Sequence, residues 1–409
     1  LLISFYISYI MLTIANALIL KGSTLSPSKE NIVIDDGKII DIAPNIMEGK
    51  IIDCTNCIVS PSFLNAHVHI GDSIIKDECD GLSLDEMVKP PNGIKHKALE
   101  NVGDEEIIHS MKKSMWDMLN SGTSHFIDYR EGGLEGVKLL RKASSDIPIK
   151  PIILGRDNSF YGDDPDLNIV RRNLRKLLKF ADGVGLSGFG EISTEVAELI
   201  TKECKKLGKI SSIHTAESRD AQVNSINKTG RTEIKRGIDA GFDQLVHCTN
   251  ATEEDMSELN KTNTNVVLCP RANATLNVGI PPIDKIISGD IVSFIGSDNI
   301  MLNSPNILRD LEFSLKLSRA YYRKYFNPKL FFEMATVNPF KLKNSNYNLY
   351  SILDKSIIEK GFDAQLMISR QLSNNPYLSI INRCNTQNIL HIMNKNIHID
   401  YINKQKYNI

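Results

Sequence analysis

His67 and His69 are separated only by Val68, inside an apolar, β-branched run. Alternate side chains of a strand point to the same side, so both imidazoles face one way. Two neutral imidazoles converging at a strand end supply half of a transition-metal site. Taken alone, the motif fits two unrelated histidines equally well. His214, His247 and Asp298 sharpen it, because each ends another apolar, β-rich run. Imidazole nitrogens and carboxylate oxygens are ligands for zinc or iron, and three or four of them leave a coordination position for water. Glu217 follows His214 in the stretch HTAES. A carboxylate there can carry protons between water and a leaving nitrogen. It also fits a solvated glutamate in the first turn of the next helix.

Two Arg-Asn pairs follow other strand-like runs: Arg156 and Asn158 in GRDN, and Arg271 and Asn273 in CPRAN. Both pairs are expected at the same rim as candidate substrate contacts. A guanidinium pairs bidentately with a carbonyl-rich or anionic group, although each arginine could instead brace its own loop. Asn299, beside Asp298, fits either support of that carboxylate or simple turn chemistry.

Eight apolar runs could position these residues: IVSPSFLNAHVH, TSHFIDY, KPIILGR, GVGLSGFGEI, ISSIHTA, QLVHC, NVVLCP and IVSFIGSD. Helical patterns lie between several of them. Asp104 is placed to cap one that carries Ile107, Met111, Met115 and Leu119 and stops at Gly122. Strand-helix alternation over about 240 residues predicts an α/β fold, a (β/α)8 TIM barrel, with catalytic groups at the C-terminal ends of its strands. A doubly wound sheet is the alternative, but no G-x-G-x-x-G turn follows the first strand. The stretch Gly71 to Asn101, rich in Lys, Asp, Gly and Pro, reads as a long functional loop over the mouth.

Short β runs from Leu12 to Ile58, with a hairpin signal at Asp35-Asp36-Gly37, precede the barrel. AQLMIS and NILHIMNKNIHI follow it. Residues 11–60 and 350–409 are therefore expected to form a small β-sandwich-like domain, and residues 61–349 the barrel.

Lys+Arg 48 against Asp+Glu 49 leaves a formal charge of −1, which argues against bulk nucleic-acid binding. Seven cysteines, an odd number, do not form a disulfide framework, and Cys54 and Cys57 form a CxxC with no second pair to complete a zinc site. A structural role for that pair and a reducing, cytoplasmic setting follow.

The segments PSFLNAHVHIGDS, IHTAES, LVHC, VVLCPRANATLNVGIPP, IGSDN and EKGFDAQLMI together resemble the amidohydrolase superfamily, in its cytosine deaminase and chlorohydrolase-like branch. The resemblance runs from Met11 to about Ile399. It implies that His67, His69, His214 and Asp298 are metal ligands and that Glu217 is the proton shuttle. His247 would ligate the metal or hydrogen-bond the hydroxide, and Asp298 would also take a proton from the attacking water. No lysine stands in GVGLSGFGEIS, so one divalent ion, zinc or iron, is implied rather than a pair bridged by a carboxylated lysine. Glu191, at the end of that run, is a candidate second-metal or substrate residue. Ser62 stands where the family usually has glycine, which bears on backbone freedom and not on ligation.

The expected reaction is hydrolysis of a non-peptide C–N bond, most plausibly deamination of an aminated heterocycle of nucleobase or nucleoside type by a metal-bound hydroxide. Hydrolysis of an amide, amidine or formimino compound is the alternative. A non-catalytic relative is a third reading, although such relatives lose ligands and here none is lost. The partner expected is a small molecule, neither nucleic acid nor membrane, and the resemblance implies homo-oligomers.

The apolar start, Leu1 to Leu20, lacks a positive n-region and runs straight into strand-and-turn patterning. Residues 1–10 read as an upstream extension, with translation beginning at Met11. N-terminal sequencing of the natural protein should therefore start at Met11; a mature chain containing Tyr6 would overturn this.

Overall fold

β-branched, apolar runs of four to eight residues cannot bury both faces alone, and here they pair side by side into a closed parallel ring. The computed structural model describes residues 11–88, 93–162, 164–342, 357–395, 397–402 and 405–408; the proposed extension, 1–10, lies outside them. The first seven barrel strands are Phe63–His69, Thr123–Arg130, Lys150–Gly155, Gly183–Leu186, Ile210–Thr215, Gln244–His247 and Asn265–Leu268. The eighth is split. Ser293–Ile295 pairs with the seventh strand, whereas Asp298–Asn299 crosses to the first, setting Asp298 opposite Val68 and Asn299 opposite His69. That switch closes the barrel and carries Asp298 to the histidines.

Leu64, Ile127, Tyr129, Leu154, Val246 and Phe294 fill the inside of the ring, while the alternate residues face the surrounding helices. Helix Asp104–Asn120 buries Ile107, Met111, Met115 and Leu119, as its spacing predicts. Its N-cap is Gly103, and Asp104 instead joins Glu105 and Glu106 in the first turn, where negative charge meets the helix dipole.

Three expectations need correction. The run IVSPSFLNAHVH is two strands, Cys57–Pro61 and Phe63–His69, and the former belongs to a different sheet. The run GVGLSGFGEI is a strand only to Leu186; the Gly-rich remainder leaves the ladder, so Glu191 lies beyond the strand, not at its end. The stretch Gly71–Asn101 is not a plain loop but contains the helical segments Ile70–Ile75, Leu84–Val88 and Ile94–Asn101.

The N- and C-terminal segments build two sheets around a shared apolar core that includes Ile14, Ile34, Val59, Leu366 and Ile368. Asp36 and Gly37 both take positive φ, the geometry of the expected two-residue hairpin. NILHIMNKNIHI is a hairpin of Ile389–Asn394 and Ile397–Asp400 rather than one strand. Cys54 and Cys57 pack into this core, and all seven cysteines are free. Ser62 has no positive φ, so the glycine it replaces is not required by the backbone. Among the described residues no helix is long and apolar enough to cross a membrane.

The same hairpin buries two imidazoles, His398 Nε2 lying 3.0 Å from His391 Nδ1, with Asp400 Oδ1 3.7 Å from the latter. Burial, reinforced by His391, pulls His398 down to about 4. The unfolded chain takes up that proton near the ordinary histidine value of about 6.5, the folded chain only near 4. The contribution is present above pH 6.5 or so and is lost as pH falls toward 4. Urea unfolding across that window should show His398→Gln losing roughly 2–3 kcal/mol less stability than the wild type; parallel curves would refute it.

Candidate metal centre

His67, His69, His214 and Asp298 each present one donor atom at the C-terminal rim, all within 4.8 Å of one another and all buried. Glu217, His247 and Asp298 form an overlapping group within the same limit. His67 Nε2 lies 3.1 Å from Asp298 Oδ1, and His69 Nε2 3.5 Å from the same oxygen. The structure thus brings together His67, His69, His214, His247, Asp298 and Glu217, while Glu191 stands outside both groups.

Local backbone sets the aim of these groups. The first strand slips register against the second between Asn65 and Val68, so His67 lies within the irregular stretch of that pairing. His247 and Asp298 take positive φ, 69° and 63°, as do Ala216, which precedes Glu217, and Cys248, which follows His247. Such conformations cost non-glycine residues about 1–3 kcal/mol each and persist only where the surroundings enforce them.

Neighbours fix the imidazoles. His214 Nδ1 donates to the Leu186 carbonyl at 2.6 Å, which leaves Nε2 as a bare lone pair. Asn273 Nδ2 donates to Thr249 Oγ1 and its Oδ1 accepts from His247 Nδ1 at 2.9 Å, so His247 Nε2 is likewise bare. Burial holds His67, His69 and His214 below the usual histidine range, His69 at about 3, and therefore neutral, as metal ligation requires. Burial works against the charge of Asp298, yet the hydrogen bond with His67 and the nearby imidazoles hold it well below the usual carboxylate range. Asp298 Oδ2 and His247 Nε2 are buried without a hydrogen-bond partner among the described residues. Unused lone pairs among three neutral imidazoles and a carboxylate fit a divalent cation.

Glu217 Oε1 stands 3.7 Å from His247 Nε2, and burial pushes its carboxyl up to about 7. It opens onto a cavity of about 910 Å³ whose walls include His69, His214, His247, Asp298 and Arg156.

The other expected contacts divide. Arg156 lines the cavity, bonded to Glu131 and to Ser187 Oγ. Asn158 is exposed on the following loop and does not line the cavity, because its short helical turn, Asn158–Phe160, points it to solvent. Arg271 turns away to Asp310, at 2.9 and 3.0 Å, and to the Ser304 carbonyl; it braces a loop and is absent from the cavity wall. Asn273 touches His247 rather than the cavity. Glu191 lines the cavity but belongs to neither donor group. Asn299 Nδ2 donates to Asp72 Oδ2 at 2.7 Å, fixing the turn after Asp298.

Sequence reasoning missed Asp72, Lys95 and Glu131. Glu131 directly follows the second strand, Thr123–Arg130, and that strand-end position was a usable signal. Lys95 comes from the stretch read as loop, whose periodicity gives no hint of burial.

A (β/α)8 barrel with four clustered donors at its C-terminal rim defines a metal-dependent hydrolase. Residues 58–391 match the amidohydrolase family model, and the chain belongs to that family, enzymes that hydrolyse carbon–nitrogen bonds other than peptide bonds. It is 43% identical over 386 residues, 94% of this chain and 98% of the other, to a protein of Methanothermobacter thermautotrophicus provisionally named an aminohydrolase. It is 27% identical over 383 residues, 87% of this chain and 84% of the other, to a 5-methylthioadenosine/S-adenosylhomocysteine deaminase of Thermoanaerobacter pseudethanolicus. Its fold is similar, with a TM-score of 0.77 at 14% identity, to the crystal structure of an adenosine deaminase from Xanthomonas campestris with bound zinc, covering 93% of this chain and 91% of that one.

Gly296, at the break in the eighth strand, lets that strand press against the first. A Cβ there would lie 2.6 Å from His67 Cβ and 2.8 Å from its backbone nitrogen. Gly296→Ala should cost about 1–3 kcal/mol in denaturant unfolding, as overpacking does, and should lower metal retention measured by elemental analysis. Unchanged stability with full metal content would show that the contact is not tight.

Proposed function

We propose that the protein is a zinc-dependent deaminase of a small aminated heterocycle, with His67, His69, His214 and Asp298 as the metal ligands. The single observation carrying this reading is the placement of Glu217. Its carboxyl, raised by burial to about 7, opens onto the cavity within the group it forms with His247 and Asp298. Zinc is favoured by the three-imidazole, one-carboxylate donor set and by the zinc in the similar Xanthomonas campestris structure. The named activity of the Thermoanaerobacter pseudethanolicus relative supports deamination of a nucleoside-like ring.

When bound, the ion supplies Lewis acidity and brings the pKa of water down toward ~7. Asp298 Oδ2, free of hydrogen-bond partners among the described residues, takes a proton from the attacking water. Glu217, half in its acid form near neutrality, delivers a proton to the departing nitrogen, and ammonia leaves. His247, its Nδ1–H anchored on Asn273, presents the bare Nε2 as an acceptor that orients the attacking water. Arg156 contacts the substrate and Glu191 borders it, with no second metal.

In this reading residues 11–60 and 350–409 form the small β domain and 61–349 the catalytic barrel, the boundary at 349/350 lying outside the described residues. The division is supported by the change of sheet between Cys57–Pro61 and Phe63–His69. Seven free thiols favour a reducing, cytoplasmic setting.

Ammonia release on a panel of nucleobases, nucleosides, amides and guanidino compounds tests the substrate class. On the compound turned over best, Glu217→Gln should lower kcat by about 10²–10⁴ with metal content unchanged. Near-full turnover by that variant would remove Glu217 from the mechanism.

A further inference from the structure

The mechanism leaves the buried ammonium of Lys95 at the cavity wall unused. Lys95, on the helix Ile94–Asn101, is 2% exposed and lines the cavity. Its Nζ lies 2.6 Å from Glu131 Oε1 and 3.4 Å from Asp72 Oδ2. An ammonium is costly to bury unless it is paired, and these carboxylates explain how Lys95 is tolerated there. They do not explain why it is present, since Glu131 already has cationic partners. Arg130 Nη2 lies 2.9 Å from its Oε2, and Arg156 Nη2 is bonded to its Oε1. His69 Nδ1 stands 3.4 Å from that same Oε1.

The cations on this wall therefore carry more N–H groups than the bonds just named use. An ammonium offers three N–H groups and a guanidinium five. Among the described residues Lys95 meets Glu131 and Asp72, and Arg156 meets Glu131 and Ser187 Oγ, with the Glu191 carboxylate also acting on Arg156 through its charge. A ligand that brings acceptor oxygens would complete both sets.

The place of this wall is informative. Glu217 flanks His247, whereas Lys95 reaches the cluster through Glu131 beside His69. His69 and His247 each pack against both His67 and His214, at centroid distances of 4.9 and 5.5 Å for the former and 5.7 and 5.2 Å for the latter. Glu217 and Lys95 therefore reach the cluster at different histidines, His247 and His69, and a bound ring that offers its amine to the first can offer another edge to the second.

We propose that Lys95, with Arg156 beside it, receives a carboxylate carried by the substrate, and that the substrate class narrows to aminated heterocycles bearing that anionic group. The proposal rests on the deamination reading only for the placement of the amine at Glu217. A carboxylate stays charged at neutral pH and makes charge-assisted hydrogen bonds to both cations. A neutral analogue would leave buried donors unpaired, and a site built this way discriminates strongly against it.

Matched pairs of pyrimidine, purine and imidazole rings, each with and without a carboxylate, titrated calorimetrically into the metal-loaded protein, test this without turnover. At least one carboxylate member should bind the wild type about 10–100-fold more tightly than its neutral partner. Lys95→Met should lower Tm through the lost ion pairs and erase most of that gap, while leaving neutral-ring affinity and metal content near their wild-type values. Lys95→Gln, which keeps a donor but not the charge, serves if the methionine variant does not fold. Absence of a carboxylate preference in every wild-type pair, or a preference that survives loss of the ammonium, overturns the proposal. Failure of the deamination reading would register separately, as carboxylate binding without ammonia release.

Discussion

The structure depends on keeping four donor groups dry and close together at one end of the barrel. Removing imidazoles from water disfavours their charged forms, so His67, His69 and His214 stay neutral and available as ligands. The same burial penalises the charge of Asp298, which the imidazoles around it offset. A cluster with this donor set is matched to a cation and is otherwise an expensive arrangement to hold.

That expense explains the unusual backbone around it. A continuous eighth strand paired only with its predecessor would leave the C-terminal end of the first strand paired on one side alone, with the second strand. Breaking at Gly296 and Ser297 lets Asp298 and Asn299 pair with Val68 and His69 instead. Gly296 permits the close approach, and positive φ at His247 and Asp298 aims both side chains inward. The barrel tolerates strain there because its interior and its helical coat are packed tightly enough to enforce it.

Around the donors lies a ring of polar support drawn from distant parts of the chain. Leu186, at the end of the fourth strand, orients His214; Asn273, past the seventh, orients His247. Glu131, beyond the second strand, gathers Arg130, Arg156 and Lys95 and stands beside His69. Asp72 holds Asn299 and the Met301 backbone nitrogen, tying the segment after the first strand to the turn after the eighth. Each contact restricts a group whose freedom would loosen the metal geometry.

The sequence by itself determined the barrel, because strand-helix alternation and period-two patterning are local properties of the chain. The same local rule placed His67 and His69 on one side of a strand and put His214, His247 and Asp298 at strand ends. Tertiary structure alone decided which charged and polar side chains reach the cavity. Arg156 and Arg271 look alike in sequence, yet Asp310, 39 residues further on, claims Arg271, while Arg156 stays at the wall with Glu131. Lys95 lies in a stretch that reads as solvated loop and ends up buried beside a metal-ligand candidate. The physical reason is one of range. Side-chain direction follows from backbone geometry within a few residues, whereas an ionic or hydrogen-bond partner is settled only when remote elements compete for the same group in a place without water.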